Sequence, residues 1–156
     1  MLIPTQHLVW ANAQFFEKAV SFTDVELSLS LTEGEWTVAQ HLAHIAGGLE
    51  WFRHILTKGD WKDPQPPTNS IEVKAIADYV DQLGADLLAQ AALSAEEPID
   101  FKDERGEHRV TRPVVLAQAA LHTSEHKIQI VDILRLHGNK SIDNEEMDVW
   151  HSPFGG

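Results

Sequence analysis

The feature that most constrains the fold is the recurrence of apolar side chains at three- and four-residue steps, the period of one face of an α-helix. It is clearest in Leu42, Ile45, Leu49, Phe52 and Leu56. Thr37 and Gln40 have the spacing of a capping box just before this stripe, and Trp36 precedes them as a hydrophobic staple. Lys58 and Gly59 have the chemistry of a helix C-terminus. The pattern predicts a helix over residues 37–58.

Three further helices are predicted by the same period, over about residues 5–20, 71–92 and 111–138. The last tolerates Pro113 in its first turn and ends at His137 and Gly138. An inward seam is predicted on this helix, consisting of Val115, Ala119, His122, His126, Ile133 and Leu136. Polar and proline-rich composition predicts loops between the helices.

The predicted connections include one short β element and a tail. Residues 101–110, with Arg105 and Gly106 at their centre, predict a small hairpin before the last helix. Residues 21–35 read as a connection with a short extra turn. The aromatic tail, with Trp150 and Phe154, is expected to pack back over the helices. We therefore expect one domain over residues 1–156: an all-α, antiparallel four-helix bundle with a long crossover connection.

Charge and cysteine content restrict the functional classes. The 156 residues carry a formal net charge of −12, which disfavours binding to nucleic acids and to anionic membranes. There is no cysteine, so disulfides, thiolate ligands and a cysteine nucleophile within the chain are excluded. The N-terminal sequence lacks the basic start of a signal peptide, and we expect a cytoplasmic protein.

His122 and His126 are four residues apart on the last predicted helix, so both imidazoles lie on one face, one turn apart. This spacing suits one metal ion. A hydrogen-bonded pair in the core is the alternative, since buried polar groups need partners. A third ligand would come from a facing helix.

The second predicted helix offers that ligand twice, as His41 and His44. Gly47 and Gly48 follow His44 and leave room for a bound group one turn further on. Spacing alone selects neither histidine.

The segments EWTVAQHLAHIAGGLEW and LHTSEHKIQIVDILRLHG, taken together, resemble the DinB-like (damage-inducible) superfamily. The matching positions are Trp36, His44, His122, His126 and Gly138, and the closing Asp148 and Trp150. The resemblance extends over nearly the whole chain. It implies a four-helix bundle with a three-histidine metal site, and it selects His44 over His41.

Relatives in this superfamily usually carry nickel or zinc, and several use an external low-molecular-weight thiol in S-transfer or isomerisation. Relatives are often dimers, so a homodimer is compatible with the resemblance. Three neutral histidines leave a coordination position open, as in catalytic zinc sites. A small-molecule substrate is then expected, with no nucleic-acid or membrane partner.

Several residues around the expected site have candidate roles. Gly47, Gly48 and Trp51 are candidates for lining a pocket that binds a cofactor or substrate. Glu125 is a candidate general base or a hydrogen-bond partner of a ligand. Similar partners within one helical turn are Gln40, Gln118 and Gln129.

Two main functional interpretations remain open at this point, together with a minor third, a degenerate bundle that holds no metal in cells. One is a metal-dependent enzyme, a thiol S-transferase or a hydrolase. The other is a non-catalytic bundle that binds a metal or a small molecule, for which a site closed by His41 as a further ligand would be the signature.

Overall fold

The computed structural model describes residues 2–154 and is mostly helical, with one small two-stranded sheet. The domain predicted over residues 1–156 thus has its first residue and its last two outside the described part. The helices are α1 (Leu2–Ala19), α2 (Asp24–Leu27), α3 (Val38–Thr57), α4 (Ser70–Ala91) and α5 (Arg112–Leu136). The strands are β1 (Pro98–Asp103) and β2 (Gly106–Thr111), and short 3₁₀ turns follow at Asn144–Met147 and Val149–His151.

The helix boundaries confirm the cap predicted at the start of α3. The Thr37 hydroxyl accepts from the Gln40 backbone, and the Gln40 side chain accepts from the Thr37 backbone at 2.8 Å. At the other end Lys58, and not Gly59, adopts the left-handed conformation, with φ of 58°. Helix α1 begins at Leu2, earlier than predicted. Pro4 does not prevent this, because it lies in the first turn, where proline is tolerated.

The core lies among the four long helices. Helix α3 packs against both α5 and α4, and α1 packs against α4 and α5. The largest fully buried apolar side chains come from all four helices, and include Phe15, Phe16, Leu42, Leu49, Leu83, Leu87, Ile130 and Ile133. The predicted seam of α5 is buried at Val115, Ala119 and Ile133, but Leu136 is 62% exposed because it is the last residue of the helix.

The C-terminal tail packs against α1 through its first 3₁₀ turn, as predicted. Its aromatic residues Trp150 and Phe154 remain exposed. Met147 is buried, and its carbonyl oxygen is 2.7 Å from Nε2 of His7. Trp150 is 78% exposed, so the expectation that it would be covered was wrong. The Trp150 indole instead donates to the carboxylate of Asp148, two residues away.

The predicted hairpin is present between α4 and α5. Its strands pair in antiparallel register from Pro98 opposite Thr111 to Asp103 opposite Gly106. Strand β1 packs on α3, and β2 packs on α5. The turn therefore lies beside the two helices that carry the candidate histidines.

Among the described residues, no helix is both long enough and apolar enough to cross a bilayer.

Candidate metal centre

The candidate centre lies where α3 packs along α5. Helix α3 contributes His44, and α5 contributes His122 and His126 one turn apart. One nitrogen of each imidazole can be chosen so that all three lie within 4.8 Å of one another. The structure therefore brings together the three histidines that the family resemblance selects.

The three rings are in direct contact with one another. Nε2 of His44 is 3.0 Å from Nε2 of His122. The ring centroid of His126 is 4.5 Å from that of His44 and 4.6 Å from that of His122. Each ring is half-buried, so the cluster is reachable from solvent.

Gly48 allows His122 to come this close to α3. A Cβ atom at position 48 would lie 2.3 Å from Cε1 and 2.7 Å from Nδ1 of His122. No side chain fits in that space unless the imidazole moves. The predicted space beside the glycines is thus occupied by a candidate ligand, while Gly47 faces the Asp63 carboxylate and Pro64.

His41 lies next to the cluster but outside the converging group. Its side chain is buried, and its Nδ1 atom is 3.1 Å from Nδ1 of His126. This contact orients the His126 ring from the His41 side, and the Gln129 side chain is a further hydrogen-bond partner of His126. Hydrogen bonds of this kind commonly set the orientation of metal-binding imidazoles.

Trp36 covers one side of the imidazoles. Its ring centroid lies 4.7 Å from His44, 5.5 Å from His41 and 6.0 Å from His126. Trp36 immediately precedes Thr37, the N-cap of α3, which is the position of a hydrophobic staple. Its partner on the first turn of the helix is the imidazole of His41. The indole itself is 45% exposed.

Burial keeps the imidazoles neutral. It lowers the pKa of His122 and of His41 to about 4, and lowers the pKa of His44 and His126 in the same direction. The positive charge that each would carry when protonated adds to the effect on its neighbours. Neutral imidazoles are the form that binds metal ions.

The four residues predicted as hydrogen-bond partners of the ligands have different surroundings in the structure. Gln40 is used by the helix cap, and Glu125 is exposed, although its charge favours protonation of His126. Gln118 lines a pocket beside His44 and His122, and Gln129 lines one beside His126. Nδ1 of His122 is buried without a hydrogen-bond partner among the described residues.

Asp63 is a carboxylate near the site that the sequence did not indicate. It lies on the loop between α3 and α4, and its Oδ1 atom would be 3.1 Å from a Cβ at Gly47. Its charge favours the protonated form of His44, against the larger effect of burial. The proline-rich composition of residues 61–70 marks a loop but gives no sign that the loop folds toward α3.

Two cavities open on opposite parts of the cluster. One, of about 440 Å³, is bounded by Glu35, Trp36, His41 and His126, and we call it the Trp36 side. The other, of about 540 Å³, is bounded by His44, His122, Trp51, Trp61 and the hairpin turn, and we call it the hairpin side. Gly47, Gly48 and Trp51, predicted to line a pocket, all lie on the hairpin side.

Comparison with known proteins identifies the family of this chain. The model of the DinB family matches residues 4–151, which includes all three histidines. The chain belongs to the DinB family.

A solved structure shows the same fold. A DinB-like protein from Bacillus cereus ATCC 10987 is 19% identical, with a TM-score of 0.66 over 88% of this chain and 91% of that chain. Comparison with the curated proteins gave no match. At this identity the likeness establishes the DinB fold and carries no information on the reaction.

Proposed function

We propose that this DinB-family protein binds one divalent metal ion, nickel or zinc, through His44, His122 and His126, within an antiparallel four-helix bundle. We propose further that it is a metal-dependent enzyme acting on a small molecule, as a thiol S-transferase or a hydrolase. The observation that carries the proposal is the convergence of three imidazole nitrogens within 4.8 Å of one another on two packed helices.

The residues present fit such an ion. Four imidazoles lie together in a half-buried site, and burial favours their neutral form, so each offers a lone pair. Neutral nitrogen donors suit nickel and zinc better than magnesium or calcium. When bound, the ion would supply a Lewis acid that lowers the pKa of water or of a thiol.

The remaining residues of the site have separable tasks. His41 contacts the ring of His126 on one side, and the Trp36 indole stacks on the same ring. The hairpin side leaves His44 and His122 accessible from a cavity of about 540 Å³, enough for a small substrate. Since the chain has no cysteine, any thiol in the reaction would come from outside.

A non-catalytic binding protein is the second candidate, and His41 is the observation that favours it. Its Nδ1 atom is 3.1 Å from that of His126, so a fourth imidazole is in contact with the cluster. Four protein ligands would close the coordination sphere, as in structural zinc sites. A protein of that kind would bind metal without turning over a substrate.

Metal titration of untagged protein tests the proposal. The wild type is expected to bind one nickel or zinc ion per chain. His122→Ala should lower the affinity by more than about 100-fold, since even an outer partner of a ligand is worth 10–100-fold. His137→Ala is the matched control, because His137 lies just after the same helix and is exposed.

Circular dichroism should show unchanged helicity in both variants. Full affinity in His122→Ala would contradict the site. A screen of thiol cofactors with electrophilic substrates would then separate the two candidates. Turnover by the wild type that is lost in His122→Ala would support the enzyme. No turnover by the wild type, together with four nitrogen ligands on the metal by X-ray absorption, would support the binding protein.

A further inference from the structure

The hairpin side of the site has walls made of aromatic rings. Trp51 and Trp61 meet edge to face with ring centroids 5.7 Å apart. Phe52 meets the His122 ring at 5.7 Å, and Phe101 of β1 also lines the cavity. Apolar rings next to candidate ligands favour a substrate with a flat apolar body.

The walls are held in place by contacts outside the cavity. The buried Glu50 carboxylate accepts two hydrogen bonds from Arg53, at 2.6 and 2.7 Å, and Arg53 also donates to the Asp60 carbonyl. This fixes the loop next to Trp61. The Lys58 ammonium donates to the Asp100 carbonyl, which ties the end of α3 to β1. The cavity is therefore formed before any ligand arrives.

The turn of the hairpin places one cation at this cavity. The Arg105 backbone donates to the Asp103 carboxylate at 2.8 Å, and Gly106 adopts φ of 131°, which few other residues tolerate. The turn is thus fixed, and the Arg105 side chain lines the cavity.

Arg105 differs from the two arginines nearest to it in sequence. Arg109 pairs with the Asp100 carboxylate at 3.2 Å, and Arg112 donates to Gln90, Ser94 and Glu97. Within residues 2–154 the Arg105 guanidinium has no hydrogen bond and no ion pair. A guanidinium at a pocket without a protein partner is free to bind an external anion.

Among the described residues, neither of the two carboxylates that line the cavity, Asp63 and Asp103, forms an ion pair with the Arg105 guanidinium. Asp103 accepts from Nε2 of His108 at 2.8 Å as well as from the Arg105 backbone, and these hydrogen bonds lower its pKa. Asp63 lies against Gly47 of α3, while Arg105 lies on the hairpin turn. The cavity therefore has candidate metal ligands on α3 and α5 and a free cation on the hairpin.

We propose that the hairpin side is a binding site for small molecules that combine a flat apolar body with one anionic group, a carboxylate or a phosphate. The apolar body lies against Trp51 and Trp61, and Arg105 pairs with the anion. This deepens the proposed function, because it gives the substrate class of the same centre and the end of the substrate that lies away from the imidazoles.

Ligand-observed NMR titration of the full chain tests the proposal with three probes of matched shape: phenylacetate, phenyl phosphate and the neutral phenylacetamide. Wild-type protein is expected to bind an anionic probe at least about fivefold more tightly than phenylacetamide, as one charge-assisted pair allows. Arg105→Gln should remove that preference and leave phenylacetamide binding unchanged. Arg109→Gln, the same charge change on the same hairpin, should keep it.

The ratio of phenylacetate to phenyl phosphate affinity identifies which anion the site takes. Equal affinity of wild type and Arg105→Gln for both phenylacetate and phenyl phosphate would overturn the proposal. So would an equal loss in Arg109→Gln, which would indicate a general effect of charge. All titrations are made first in EDTA and are then repeated with zinc after the EDTA has been removed. Failure of metal binding would then defeat the proposed function alone, because the Arg105 preference is measured without metal.

Discussion

The two sides of the histidine cluster are built in different ways. On the Trp36 side, Trp36 and His41 come from one continuous segment that enters α3, and their ring centroids are 5.5 Å apart. On the hairpin side, Trp51, Trp61 and Arg105 come from a helix, a loop and a β-turn that are far apart in the chain. The first side is set by helix geometry, and the second by tertiary contacts.

This difference separates two tasks. Ring positions fixed by a capped helix suit the holding of ligands, because the period of the helix sets their spacing. A cavity assembled from a loop and a hairpin can change its residues without disturbing the helices, as is usual where specificity resides in loops. We therefore expect substitution of Trp36 or His41 to change metal affinity, and substitution of Trp51, Trp61 or Arg105 to change the choice of small molecule.

The largest expected effect comes from Gly48→Ala, which acts where the two sides meet. The new methyl group would lie 2.3 Å from the His122 ring, so the imidazole must move out of the converging group. Metal affinity should fall by about 100-fold or more, measured by titration. Helicity should be kept, because alanine favours a helix over glycine.

Gly84→Ala is the matched control for crowding in a helix. Its methyl group would lie 3.0 Å from Cγ2 of Val9, between α4 and α1 and away from the histidines. Overpacking should cost roughly 1–3 kcal/mol and the helix preference of alanine should offset about 1 kcal/mol, so thermal denaturation should show a net loss of about 2 kcal/mol at most, with metal affinity unchanged. Wild-type metal affinity in Gly48→Ala would show that metal binding does not depend on the close approach of His122 to α3.

The sequence predicted the Trp36 side better than the hairpin side for a physical reason. The cap at Thr37, the apolar stripe of α3 and the spacing of His122 and His126 are all local patterns. They predicted the helices and the inward face. Spacing could not choose between His41 and His44, since both lie near α5; the family resemblance made that choice, and the structure shows His41 bound to His126 instead.

On the hairpin side, Gly47, Gly48 and Trp51 were predicted to line a pocket, but Trp61, Asp63 and Arg105 were not, because contacts that no local pattern encodes bring them there. The hairpin itself was predicted, but its packing on α3 was not, so Arg105 had no assigned role. Asp63 was missed because a proline-rich segment does not reveal which way it folds. The prediction for Trp150 failed because its indole bonds to the neighbouring Asp148, which lets it stay exposed.

A pair of tryptophan substitutions tests the division between the two sides directly. Trp36→Ala removes ring contacts to three imidazoles and should weaken metal binding by about tenfold, the order expected for a group that orients ligands. Trp61→Ala should leave metal affinity unchanged and weaken phenylacetate binding by roughly fivefold, the worth of one aromatic contact. Loss of metal affinity in Trp61→Ala together with loss of phenylacetate binding in Trp36→Ala would contradict the division of tasks between the two sides.

The smallest expected effect is on stability in acid, and it compares one histidine from each side. His41 lies on the Trp36 side and His122 on the hairpin side, and burial lowers the pKa of each to about 4 from an ordinary 6.5. Between these values the unfolded chain binds more protons than the folded one, so stability must decrease as the pH falls from 6.5 toward 4.

Measured without metal, the thermal midpoint should therefore fall as the pH is lowered across that range and change less below it. Replacing either His41 or His122 by alanine should reduce the slope of the thermal midpoint against pH, because one group whose pKa is lowered by folding has been removed. Equal reductions would mean that the two sides exclude water equally well. A reduction for His122 alone would mean that the Trp36 side admits water and that its indole does not shield the rings.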